Sequence, residues 1–209
     1  PPEGCKPEDG IVYLTVGLGK SIVDGGRSYC FCPEHPNSPM YGTPKDYIEY
    51  SQQKFYSLNL ESVYRIVKKD EETSLTELDI EVAEKHGIME KIASTYSYKN
   101  DRLYPGTNYE GPRVIDFAPI IRYESIPLVK AIKVLLRIGE IALGNPVEIE
   151  FTVNLSDDKS KPAELTVLQI RSMVSKEMYG EVEIGEYESK DLLCYSENAL
   201  GNGVINNIR

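Results

Sequence analysis

The chain has 209 residues, of which 41% are hydrophobic and 27% are charged, so it can bury a core and is not disordered throughout. Its formal charge of −10 opposes binding to nucleic-acid phosphates through bulk charge, and no stretch approaches the roughly 18 apolar residues of a membrane span. The sequence therefore predicts a globular acidic protein of about one domain, with neither nucleic acid nor membrane as a partner.

Neither end of the sequence has the features of a natural terminus. The chain begins at Pro1, without an initiator Met or a signal-like apolar segment, and it ends at Arg209, soon after a turn-rich run at residues 201–204. We therefore expect a piece of a larger protein.

Strands and helices follow one another along the first half of the chain. Runs rich in β-branched, aromatic and apolar residues predict three strands, at residues 11–16, 27–32 and 63–69. Thr43 followed by Pro44 predicts a capped helix that runs to about Leu58. A second, short helix is expected at residues 79–92.

The four cysteines, Cys5, Cys30, Cys32 and Cys194, are few and irregularly spaced. Cys30 and Cys32 lie one residue apart and His35 follows them, so a metal site is an alternative to plain thiols. A zinc site, however, usually has two or more residues between its cysteines and a second ligand pair elsewhere. The spacing favours reduced thiols, and with them a cytoplasmic location.

A glycine-rich turn follows the first predicted strand, in the string Gly17-Leu18-Gly19-Lys20-Ser21. A P-loop also requires glycine at position 14, where this chain has Leu14, and the dinucleotide-binding motif requires it at position 22, where Ile22 stands. Both motifs fail. The string is typical of a tight strand–helix turn, although backbone amides in such a loop are a precondition for phosphate contact.

The next predicted elements are a strand and a long helix. Alternation predicts a largely buried strand from Arg113 to about Tyr123, and Ser125 is a candidate cap for the following helix. Four apolar residues at helical spacing give this helix one apolar face: Leu128, Ile132, Leu135 and Ala142. Gly144 is expected to end it.

Two strands, at residues 147–153 and 165–171, are separated by a polar loop and predict an antiparallel hairpin. If Glu150 lies opposite Gln169, then Glu148 lies opposite Arg171 and all four side chains share one face. One interpretation is a Glu148–Arg171 ion pair on a solvated sheet face. The other is a nucleotide site, because carboxylate and carboxamide oxygens suit Mg²⁺ and a guanidinium suits phosphate.

The hairpin motifs resemble a known family. The string Val147–Phe151 followed by Leu168–Met173 is similar to the end of the ATP-grasp nucleotide-binding domain in pyruvate phosphate dikinase and phosphoenolpyruvate synthase. The segment Val16–Gly19, continuing to residues 22–26, resembles the Gly-Leu-Gly segment of that domain. The resemblance covers about residues 10–175 and implies an α+β fold, an ATP-grasp-like subdomain whose mainly antiparallel sheet is packed by helices.

The resemblance also implies roles for the four hairpin residues. Glu150 and Gln169 would ligate the Mg²⁺ that bridges the ATP phosphates, with Glu148 as a further metal-ligand candidate. Arg171 would contact the phosphates, so that the ATP-binding set is Glu150, Gln169 and Arg171. No side chain of the chain is assigned a catalytic role. Ser172 stands where the family usually has proline.

The domain organisation that follows is a C-terminal part of the ATP-grasp domain at residues 1–175, with an insertion around 33–105, and a linker at 176–209. The parent would transfer phosphate from ATP through a histidine on another domain. An N-terminal ATP-grasp lobe and a phosphohistidine domain of the parent would then be partners, and the isolated chain is expected to be inactive. The alternative is a non-catalytic interaction or regulatory module, suggested by the Pro-rich region 33–44 and the long insertion.

Overall fold

The computed structural model describes residues 5–60, 74–156 and 161–173. The protein is a mixed α+β structure with small antiparallel sheets, as the composition of predicted elements indicated. The chain divides into two compact units, with the boundary between Lys133 and Val134. The strand predicted at 63–69 and the linker predicted at 176–209 lie outside the described residues. Within the described ranges, no helix has both the length and the apolar character needed to cross a membrane.

The described residues of the first unit form seven strands: β1 (Val12–Leu14), β2 (Tyr29–Phe31), β3 (Lys54–Leu58), β4 (Leu75–Asp79), β5 (Ala93–Ser97), β6 (Arg102–Pro105) and β7 (Arg113–Ile115). Its helices are a 3₁₀ turn at Pro7–Asp9 and α1 (Lys20–Val23), α2 (Pro44–Tyr50), α3 (Ile80–Lys85), α4 (Met89–Ile92) and α5 (Ala118–Ile121). Helix α6 (Leu128–Leu143) follows, and the second unit continues with β8 (Val147–Asn154) and β9 (Glu164–Ser172).

The core of the first unit lies on the three-stranded sheet β6-β5-β7, in which β5 is the central strand. Tyr96 and Val114 on this sheet are almost completely buried, and so are Phe31 on β2 and Met89 on α4. Two further antiparallel pairs, β1-β2 and β3-β4, are present among the described residues of this unit. Burial of these large apolar side chains supplies the main driving force for folding.

The strand predicted at 113–123 is wrong beyond Ile115. The chain leaves β7 at Asp116, whose carboxylate accepts hydrogen bonds from the Ser94 hydroxyl (2.7 Å) and the Ala118 amide (3.1 Å). Phe117 then adopts a left-handed conformation (φ 50°), and α5 begins. The apolar residues after Asp116 are buried as predicted, but in a helix, because a fully buried helix gives no alternation with which to tell it from a strand.

The helix predicted to run to Leu58 begins as expected and ends early. Thr43 and Asp46 form a complete capping box at its start, but α2 stops at Tyr50, and Lys54–Leu58 is a strand paired with β4. The helix predicted at 79–92 is likewise two helices, α3 and α4, because the chain turns between them at Gly87. Local propensity did not reveal the strand at Lys54–Leu58, because its partner β4 lies too far along the chain.

Helix α6 ends where it was predicted to end but begins later than the predicted Ser125 cap. It follows Pro127, and the Gly144 amide closes it with a hydrogen bond to the Glu140 carbonyl (2.8 Å). The predicted apolar face is only partly buried, since Ile132 is buried while Ala142 is exposed. Burial of that face is therefore confined to its N-terminal part.

Candidate polar face of the β8–β9 hairpin

The register of the β8–β9 hairpin brings the four predicted site residues together. The strands are antiparallel, with Glu148 opposite Arg171 and Glu150 opposite Gln169. Along β8 the burial alternates, so the glutamates lie on the exposed face while Val147 is buried. The predicted register and the shared face are confirmed.

A β-bulge directly follows the Glu150–Gln169 pair and was not predicted. Phe151 pairs with Val167, which leaves Leu168 as an extra residue on β9. Without the bulge, Thr152 would face Val167 and polar side chains would oppose apolar ones. The shift of one residue instead pairs Thr152 with Thr166, so the polar face continues along the hairpin.

Arg171 and Glu148 form a bidentate ion pair. The Arg171 Nε and Nη2 groups donate to the two Glu148 carboxylate oxygens over 3.1 and 2.7 Å. This hydrogen bonding raises the pKa of the Arg171 guanidinium above its ordinary value, and the charge of Glu150 adds to the rise. The side chains are 57% and 45% exposed, so water screens the pair. The predicted ion pair between Glu148 and Arg171 is therefore present.

Glu150 and Gln169 face each other across the two strands, and neither side chain is engaged by another described residue. Both are exposed, and within the described residues neither side chain makes a hydrogen bond or an ion pair. A carboxylate and a carboxamide thus present open oxygen atoms beside a guanidinium. This is the donor chemistry that Mg²⁺ accepts, because that ion retains water and phosphate oxygens and needs only one or two protein ligands.

No protein-only metal cage accompanies this face. Among the residues that the structure describes, no group of three or more His, Cys, Asp or Glu side chains is arranged to hold a metal ion. Oxygen atoms of a phosphate ligand or of water would have to complete the coordination shell of any ion between Glu150 and Gln169. The donor set therefore fits a magnesium ion that arrives with a nucleotide better than one bound alone.

The cysteine and histidine cluster near β2 is occupied by other contacts. The Cys30 amide and thiol lie 3.3 and 3.6 Å from the sulfur of Met40, and burial raises the pKa of the Cys30 thiol. Cys32 is fully buried, and His35 lies 3.9 Å from Asp9. Cys30 and Cys32 form no disulfide with a described residue, and Cys194 lies outside the described residues.

One concave region escaped the sequence analysis. It lies in the first unit beside the glycine-rich turn, and Ser21 and Arg27 contribute to its walls. The incomplete phosphate-loop motif ends at Ser21, and this partial match was the sequence feature that could have indicated the region. Arg27 carried no sequence signal, because its contribution depends on strands that pair at a distance.

No protein-family model, no curated protein and no solved structure matches the chain. The functional conclusion is therefore drawn from the residues of the hairpin.

Proposed function

We propose that this chain is the C-terminal part of an ATP-grasp nucleotide-binding domain and that the polar face of its hairpin forms one wall of an ATP–Mg²⁺ site. The parent protein would be a phosphotransferase resembling phosphoenolpyruvate synthase or pyruvate phosphate dikinase. One observation carries the proposal, namely that Glu150, Gln169 and Arg171 lie on one face in adjacent register positions.

The magnesium ligands in this proposal are Glu150 and Gln169. Phosphoryl transfer from ATP depends on positioning and on neutralising the charge of the phosphate oxygens. Because these two side chains have no partner among the residues that the structure describes, a metal ion could bind their oxygens without breaking an existing contact there. Glu148 is a further candidate ligand, although its carboxylate is engaged by Arg171.

Arg171 contacts the phosphates in this proposal. Its bonds to Glu148 use Nε and one hydrogen of Nη2, and within the described part of the chain the Nη1 donors have no partner. The ion pair therefore orients the guanidinium while leaving donors for a phosphate oxygen. A planar fork held in this way loses less side-chain entropy when a ligand binds.

The remainder of the reaction belongs to the parent protein. An N-terminal lobe would cover the triphosphate, and a histidine on another domain would receive the phosphoryl group and pass it to the acceptor. The chain by itself would bind Mg·ATP weakly and would not hydrolyse it. A cytoplasmic location accords with a supply of ATP and with reduced thiols.

The test is a titration of the 209-residue chain with Mg·ATP, followed by amide chemical shifts in NMR spectra. We expect saturable shifts in β8 and β9, and about a tenfold or greater loss of affinity in Arg171→Ala and Gln169→Ala, the scale for hydrogen bonds to charged groups. Thr152→Ala alters the same face without removing a proposed ligand and should bind as the unmodified chain does. Unchanged affinity in Arg171→Ala, or equal binding without Mg²⁺, would contradict the assignment.

A second candidate is the non-catalytic interaction or regulatory module. It is favoured by the mutual satisfaction of Arg171 and Glu148 at exposed positions, which is common on solvated sheet faces. For this candidate, Mg·ATP causes no hairpin shifts either in the chain or in a protein that restores an N-terminal ATP-grasp lobe. The first proposal requires that restoring the lobe strengthens nucleotide binding.

A further inference from the structure

A cavity of about 270 Å³ lies in the first unit, between helix α1 and the β3–β4 strand pair. Its walls include a hydroxyl, a carboxamide, an aromatic ring and four charged groups, from Ser21, Gln52, Tyr56, Asp24, Arg27, Lys54 and Glu77. None of these residues belongs to the polar face of the hairpin. A cavity of this size admits a small organic molecule.

Fixed contacts form the walls of this cavity before any ligand arrives. The Leu18 amide donates to the Tyr56 carbonyl over 2.9 Å, which attaches the glycine-rich turn to β3. The buried Gln52 side chain accepts from the Val16 amide (2.8 Å) and donates to the carbonyls of Val16 and Lys54. Because these bonds join segments distant in sequence, the cavity is preorganised, which lowers the entropic cost of binding.

Two ion pairs at the cavity each combine one positive and one negative charge, so their charges cancel. Lys54 lies 2.8 Å from Glu77, and this hydrogen bond raises the pKa of Lys54 and lowers that of Glu77. Lys20 on α1 lies 2.8 Å from Asp24, which lines the cavity. Both pairs are therefore balanced, and they add no net charge to the cavity.

Arg27 is the uncompensated charge. Its guanidinium makes a long hydrogen bond of 3.4 Å to the Ser51 carbonyl, and within the described ranges it forms no ion pair. Its planar donors match the two oxygens of a carboxylate.

The Ser21 hydroxyl is a further polar group of the cavity wall. The residue is only 7% exposed, and its hydroxyl makes no hydrogen bond within the part of the chain that the structure describes. Since it lines the cavity, the space that its donor can reach is the cavity itself. The hydroxyl is accessible from the cavity, so it is available to donate to a ligand there.

We propose that this cavity binds the carboxylate of a small monoanionic organic molecule, with Arg27 holding the carboxylate, Ser21 donating a hydrogen bond to it and the organic part lying against the Tyr56 ring. A single uncompensated cation balances a monoanion but not a phosphate dianion, because the remaining charges are already paired. The site is separate from the proposed nucleotide face and uses none of its residues.

The experiment titrates the 209-residue chain with benzoate, with its neutral analogue benzamide and with inorganic phosphate, followed by amide shifts of Gly26, Arg27 and Tyr56. We expect saturable shifts with benzoate alone. Arg27→Gln should weaken benzoate binding about tenfold, and Ser21→Ala about fivefold. Arg102→Gln removes an exposed arginine on β6 and serves as the matched control, with no change expected.

Each outcome decides the proposal. Benzoate binding that depends on both Arg27 and Ser21 supports it, and NMR dispersion shows whether each variant is folded. If Arg27→Gln does not fold, the Ser21→Ala affinity and the comparison of benzoate with benzamide carry the test. Equal shifts with benzamide, binding of phosphate but not of benzoate, or no saturable shift with any probe overturns it.

Discussion

Polar residues of the β5 region and of the β8–β9 hairpin have opposite environments. Ser94, Thr95 and Asp116 are buried, and each has its hydrogen-bond partner inside the first unit. On the hairpin, Glu150 and Gln169 are exposed and have no partner among the described residues. Polar groups in the first region therefore determine how the chain folds, and those in the second retain their capacity to bind a ligand.

The loop that covers β5 should give the largest effect on stability. A Cβ on Gly111 (φ 146°) would overlap the Tyr96 carbonyl oxygen, so we expect Gly111→Ala to lower the free energy of unfolding by about 3 kcal/mol. Gly106 also has a positive φ (81°), but nothing lies within 4 Å of its added Cβ. Gly106→Ala should therefore cost only about 1 kcal/mol, from backbone strain alone. Urea denaturation measures both, and equal losses would contradict the overlap.

Asp116 tests the buried polar network. Asp116→Ala removes the acceptor for the Ser94 hydroxyl and the Ala118 amide, and we expect the free energy of unfolding to fall by about 2 kcal/mol. Asp116→Asn retains an acceptor oxygen and should fall less. Denaturant midpoints of the two variants at one pH provide the comparison, and a greater loss for the asparagine would contradict it.

The same residue predicts a pH dependence. Burial raises the pKa of the Asp116 carboxyl above its ordinary value of 3.8. The folded state therefore binds more protons than the unfolded state between 3.8 and the raised pKa, so stability attributable to Asp116 is present below 3.8 and is lost as the pH rises. We expect the unmodified chain to lose stability relative to Asp116→Asn as the pH increases from about 4. A constant difference across this range would show that the folded pKa is not raised.

The Thr43 cap should give an intermediate effect. Its hydroxyl accepts from the Asp46 amide, and the Thr43 amide donates to the Asp46 carboxylate. Thr43→Ala should lower the free energy of unfolding by about 1 kcal/mol, and Thr43→Ser should restore most of it. A loss as large as that of Asp116→Ala would mean that exposed contacts of the first unit matter as much as its buried ones.

Arg171 should give the smallest effect on stability. Because its ion pair with Glu148 is exposed, Arg171→Ala should leave the thermal unfolding midpoint unchanged within error. Lys54→Ala breaks an exposed pair in the first unit and is the matched control. A clear decrease for Arg171→Ala alone would indicate a structural role for the polar face and would weaken its assignment to a ligand.

The candidate face illustrates how much of a site the sequence contains. Glu148 and Glu150 alternate with apolar residues on β8, and Gln169 and Arg171 do so on β9, so their common face and register were predictable. The bulge at Leu168 was not, because it depends on matching polar to polar pairs over the whole hairpin. The contribution of Arg27 to the cavity was equally hidden, since β3 was predicted as part of a helix.

Local patterns therefore determined the Thr43 cap and the end of α6 at Gly144, because each depends on neighbours in the chain. Alternation of polar and apolar residues along two consecutive strands determined the register of the β8–β9 hairpin up to its bulge. Tertiary structure decided where α2 gives way to β3 and where β7 gives way to α5. Lys54 pairs with Asp79, and Asp116 accepts from Ser94. A strand partner and a buried hydrogen bond stabilise conformations that local propensity does not favour, and both come from residues more than twenty positions away.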